Sequence, residues 1–74
     1  RLEELFYAIT RAAFRQRRKK LAGVLARSGV AVLPSNADTV AELLRSVAIR
    51  TDARPGALST ADWCRLVEAA AALR

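Results

Sequence analysis

The stretch A-A-F-R-Q-R-R-K-K-L, residues 12–21, decides how this chain folds. On its N-terminal side Leu2, Leu5, Phe6, Ile9 and Ala13 recur at the spacings of an amphipathic helix. Continued in register, that stripe demands apolar side chains near Gln16, Arg17 and Lys20, and none is there. It resumes at Leu21, Val24 and Leu25, rotated by roughly a quarter turn on a wheel of about 3.6 residues per turn. A break between Arg15 and Lys20 is the economical reading. The alternative is one long helix with a solvated, charged end.

The same stretch carries the charge. Arg11, Arg15, Arg17, Arg18, Lys19 and Lys20 fall within ten residues that contain no acid. The whole chain has 13 Lys+Arg and 7 Asp+Glu, so outside these six the basic and acidic residues are equal in number. The net charge of +6 is therefore local. A local excess of this kind calls for an anionic partner, most plainly a phosphate backbone. Set on a corner between two helices, it would splay the basic side chains along a curved backbone.

Outward from this segment, 74 residues with 53% hydrophobic and 27% charged content describe one small globular domain. Much of the apolar content is alanine, so burial per residue is modest. The longest uncharged run, residues 28–37, is too short for a bilayer and contains Gly29 and Pro34. The start R-L-E-E lacks the pattern of a signal peptide, and it falls inside the first predicted helix. The chain is expected to be part of something longer. Cys64 is the single cysteine and there is no histidine, which fits a reducing, cytoplasmic setting. It is expected to be half-covered on a helix.

The first helix is predicted over residues 2–15, with Glu3 and Glu4 in its first turn. A second spans residues 18–27 and ends before Gly29. The apolar run V-A-V-L-P, residues 30–34, reads as a loop pinned by Val30, Val32 and Leu33 rather than as a strand. Ser35 or Asn36 caps a third helix with the stripe Val40, Leu43, Leu44 and Val47, leaving Glu42 and Arg45 in solvent. Residues 49–56 are turn-rich, with Pro55 and Gly56. Ser59 and Asp62 form an acidic capping box, and Leu58 and Trp63 have the spacing of a hydrophobic staple. Trp63, Leu66, Val67, Ala70 and Leu73 make the buried face of the last helix, with Trp63 as core anchor rather than base-stacking platform. Phe14 could anchor the corner in the core or lie at an interface; the core is the preferred reading. The fold class is all-α, a small bundle of four to five short helices.

Without histidine the chain has no imidazole base, and its three glycines are isolated, so no phosphate-cradling loop is encoded. The carboxylates sit where helix caps and exposed faces need them. The chain itself is not expected to be a catalyst, to hold a cofactor or to bind a metal. Binding is the chemistry it can do: the basic segment offers four arginines for bidentate phosphate contact and two lysines as point charges.

These residues carry a resemblance. A-A-F-R-Q-R-R-K-K-L resembles the A-F-x-Q-R-R-K-x-L signature that opens the small C-terminal helical domain of the KsgA family of small-subunit rRNA adenine dimethyltransferases. Further along, Ile49, Arg54, Pro55, Leu58, Ser59 and Trp63 fall where that family has a short turn followed by a helix with an aromatic at its fourth position. The chain departs from the pattern at Lys20, usually Thr, at Ala22-Gly23, usually Arg-Asn, and at Ala48-Ile49-Arg50, usually Gly-Ile-Asp.

The resemblance implies a parent enzyme whose N-terminal Rossmann-like domain binds S-adenosylmethionine and methylates two adjacent adenines near the rRNA 3′ end. This chain would be its accessory domain, a monomer with no membrane contact. Its partners would be small-subunit rRNA in the ribosomal particle and the enzyme's own catalytic domain. Arg11, Arg15, Arg17, Arg18, Lys19 and Lys20 are then the expected rRNA contacts. Part of that set, Arg17 first, would instead hold the corner by pairing with acids of either domain. Three other readings remain: the corresponding domain of an Erm-type large-subunit rRNA methyltransferase, a stand-alone helix-turn-helix DNA module, and a protein-binding bundle with a solvated basic face.

Overall fold

The first apolar stripe becomes helix α1 (Leu2–Phe14) in the computed structural model, which describes residues 2–73. Glu3 and Glu4 lie in its first turn and Arg11 in its last, an arrangement that suits the helix dipole. Ile9 and Ala13 are fully buried, while Leu5 and Phe6 pack half-buried against the same core. Leu2 is 49% exposed, because it edges a shallow groove between α1 and the last helix instead of lying beneath it.

The chain breaks after α1, between Arg15 and Lys20, as the displaced stripe requires. Helix α2 (Leu21–Ala26) starts three residues later than expected, with Lys20 as its cap in extended backbone. Arg18, Lys19 and Lys20 are all exposed, so the helix begins at Leu21, the first side chain here that the core covers. Leu21, Val24 and Leu25 are buried, as is Ala22. Gly29, with φ of 80°, takes the chain out of the helix through the left-handed region that glycine tolerates. In the loop that follows, Leu33 is buried and Val30 and Val32 are half-buried against the core. No strand forms among the described residues.

Asn36, not Ser35, caps α3 (Ala37–Ser46): its side-chain oxygen accepts from the backbone N–H of Asp38 at 2.7 Å and of Thr39 at 3.3 Å. Val40, Leu43 and Leu44 are buried and Val47 half-buried, with Glu42 and Arg45 in solvent. The helix ends in a Schellman motif. Ile49 N–H donates to the Leu44 carbonyl at 2.9 Å and Ala48 N–H to that of Arg45 at 3.1 Å. Ala48 takes the left-handed position that motif requires, at φ 64°, where glycine is the usual residue.

A short 3-10 turn (Pro55–Ala57) with buried Pro55 leads to α4 (Thr60–Ala71). The capping box is complete: Asp62 N–H donates to the Ser59 hydroxyl at 3.1 Å, and Ser59 N–H to the Asp62 carboxylate at 3.0 Å. Leu58 is half-buried and Trp63 is 5% exposed, both against one core. Leu66, Val67 and Ala70 complete the buried face. Leu73 does not join it and is 52% exposed, because the helix stops at Ala71 before its register brings Leu73 round. Cys64 is exposed rather than half-covered, since it is one residue past Trp63 and so about 100° round the helix from the buried side.

The four helices close a ring about the core: α1 meets α2, α2 meets α3, α3 meets α4, and α4 returns to α1. The architecture is a small all-α bundle. Replacing Ala48 by Gly should remove the left-handed penalty, offset in part by the greater freedom of glycine in the unfolded chain. A gain of about 0.5–1 kcal/mol is expected, read as a higher urea midpoint at unchanged slope. An unchanged or lower midpoint would contradict this account of the α3 terminus.

Candidate nucleic-acid interface

Residues 15–20 have no helical ladder of their own. Three local bonds shape them: Arg15 N–H to the Arg11 carbonyl at 3.2 Å, Gln16 N–H to Ala13 at 3.2 Å, and Lys19 N–H to Gln16 at 2.9 Å. The far end is fixed from elsewhere in the fold. Leu21 N–H donates to the Ala53 carbonyl at 2.8 Å, and the Leu21 side chain is fully buried. On the near side Phe14 meets Trp63 in a tilted contact, ring centroids 5.7 Å apart. Phe14 is nevertheless 46% exposed, so it is not the core residue the sequence suggested. As the last residue of α1 it covers the edge of the α1–α4 seam with one face only.

All six sequence-predicted residues lie on this corner and all six are exposed: Arg11 in the last turn of α1, Arg15, Arg17, Arg18 and Lys19 in the turn, Lys20 at the α2 cap. Among the described residues none of them forms an ion pair. That includes Arg17, the residue expected to pair with an acid, which finds none among the described acids of this domain. Arg11 has a different neighbour: its guanidinium carbon stands 5.9 Å over the centre of the Tyr7 ring.

The ion pairs lie elsewhere. Arg50 grips Asp52 with two hydrogen bonds, 3.0 and 3.1 Å long. Arg65 reaches both the Asp62 carboxylate and, at 3.2 Å, the Val47 carbonyl, tying α4 to the end of α3. Arg65 thus braces two helices, whereas the Arg50 pair is a local one on the surface. The Asp52 carboxyl titrates below its ordinary range because of the Arg50 hydrogen bond first and the Arg50 charge next, with Lys20 a minor contributor. Asp62 is lowered as well, chiefly by the backbone N–H of Ser59.

The fold adds one basic residue that the sequence reading left out. Arg27, the cap at the end of α2, comes beside Arg15 across a shallow cleft between α1 and α2. That cleft continues to Arg11 through shared walls at Ala12, Arg15 and Ser28. The only signal for Arg27 in the sequence is its place one turn after Gly23, which says nothing about α1. Arg54 is also exposed, and its neighbour Ala53 is bonded to Leu21 at the corner.

No protein-family profile matches this chain, and no curated protein or solved structure does so either.

A folded-state pKa held below the unfolded value contributes stability above that value and loses it as the pH falls through the folded one. Both aspartates should therefore titrate below 3.8 by carboxyl NMR, and the fold should weaken as the pH drops through that region. Arg50→Ala should return Asp52 most of the way, and Lys20→Ala far less. Equal effects would mean that Lys20 is engaged by Asp52 rather than available to a ligand.

Proposed function

We propose that this chain is the accessory helical domain of a KsgA-type small-subunit rRNA adenine dimethyltransferase, a cytoplasmic enzyme. It would help to dock that enzyme on the ribosomal particle. Arg11, Arg15, Arg17, Arg18, Lys19 and Lys20 supply the grip. The observation that carries the reading is the state of those six side chains. They are solvent-exposed, form no ion pair among the described residues, and sit on a corner fixed at both ends by the core. RNA helices are recognised through shape and backbone, and a fixed array of cations matches that demand. S-adenosylmethionine and the target adenines would be handled by the catalytic domain.

The helix-turn-helix alternative is weakened by α3. Its exposed face presents Asp38 and Glu42 against one cation, Arg45, and no amide, where a recognition helix needs several cations and amides. The Erm-type alternative differs in substrate, so ribosomal subunit preference separates it from the main reading.

Combined charge reversal, Arg15→Glu, Arg18→Glu and Lys19→Glu, should abolish co-sedimentation with small subunits while circular dichroism stays helical. For the unmodified protein, six phosphate contacts predict a steep loss of affinity with salt, a log–log slope on the order of −4 to −5. Undiminished binding by the triple variant would sink the docking role. A preference for large subunits would move the assignment to the Erm side.

A further inference from the structure

We propose that the cleft between α1 and the end of α2, together with Tyr7, is a subsite for one unpaired stretch of RNA. Phosphate would lie among Arg11, Arg15 and Arg27, and a base would stack at Tyr7. The inference rests on the RNA-binding reading above and extends it to residues outside the basic run.

Three observations converge here. The first is electrostatic. The cleft is lined by Arg11, Arg15 and Arg27, with Gln16 and Ser28, and no carboxylate is among its lining residues. None of the three arginines forms an ion pair among the described residues. Its floor is low because Ala8 and Ala12 have small side chains. Near Arg27 the space is about 100 Å³, room for about three waters and so for a phosphate group.

The second concerns how the charges are held. The Arg27 guanidinium rests along α2 over Gly23, where an added Cβ would come within 3.4 Å of it. The Ser28 hydroxyl is already engaged, donating to the Leu25 carbonyl at 2.8 Å and accepting from Val30 N–H at 3.2 Å. It braces the turn instead of donating to a ligand, which leaves anion contact to the guanidinium groups and the Gln16 amide.

The third is Tyr7, the most exposed of the large hydrophobic side chains at 67%. Arg11 stands over its ring and also lines the cleft, so the aromatic and the cations form one continuous surface. Tyr7 and Arg11 lie one turn apart on the solvent side of α1, and Arg15 follows four residues later, in the first position of the turn. A flat ring beside a cationic groove is the arrangement by which single strands are held, because only an unpaired base exposes a face to stack.

The test compares a short fluorescent single-stranded RNA with a duplex of the same sequence, by anisotropy, for the unmodified protein and Tyr7→Ala, Tyr7→Phe and Arg27→Ala. Tyr7→Ala should weaken single-strand binding about ten-fold, within the range of one lost base stack. It should leave duplex binding within two-fold, and Tyr7→Phe should restore affinity. Arg27→Ala should weaken single-strand binding and lower its salt slope by about 0.7. Equal losses on both RNAs for Tyr7→Ala, or unchanged single-strand affinity for Tyr7→Ala and Arg27→Ala, would overturn the subsite. The two proposals fail separately. If the triple charge reversal spares small-subunit binding while Tyr7 and Arg27 still matter for single strands, docking falls and the subsite stands.

Discussion

One backbone hydrogen bond, from Leu21 N–H to the Ala53 carbonyl, fixes the end of the basic corner to the rest of the bundle. It joins segments far apart in the chain and coincides with complete burial of the Leu21 side chain. Together such a bond and such a burial are worth roughly 2–4 kcal/mol. The opposing force is repulsion among six exposed cations, roughly 1 kcal/mol for each pair in close approach in water and less in salt. The two are comparable. The corner holds its shape because Leu21 secures one end while α1, buried through Ile9 and Ala13, secures the other.

The basic residues divide into two kinds by what they touch. Arg50 and Arg65 are bonded to carboxylates, and Arg65 also closes the space between α3 and α4 by way of the Val47 carbonyl. The residues of the corner, and Arg27 beside it, have no such partner among the described residues. Overall charge gives no hint of this division, because it counts a bonded guanidinium and an available one alike. In the proposed binding the second kind would supply most of the phosphate contacts, since a cation already paired with a carboxylate has less to offer a phosphate.

Local signals in the sequence proved legible, and relations across the fold did not. The break after α1 follows from the jump of the apolar stripe from Ala13 to Leu21, and the α4 cap from Ser59 and Asp62, because each depends on residues a few positions apart. The errors have other causes. A helical wheel shows which side of α4 is apolar but not where α4 ends, and Leu73 lies past that end at Ala71. Phe14 likewise lies at a helix end that the wheel does not locate, whereas Cys64 is simply about 100° round α4 from its buried side. The late start of α2 depends on which side chain first finds cover, and Arg27 faces α1 only through the packing of two helices. Ala48 conceals its left-handed backbone, since alanine gives no warning of it.

Trp63 has a use beyond packing. It is the single tryptophan of the chain, it is almost wholly buried, and its ring lies against Phe14, the residue immediately before the corner. Phe14 is itself half open to solvent, so any shift of the α1 terminus alters the polarity and water access felt by the indole. The protein therefore carries an intrinsic optical reporter. Emission from one buried chromophore tracks the seating of the charged corner without a label.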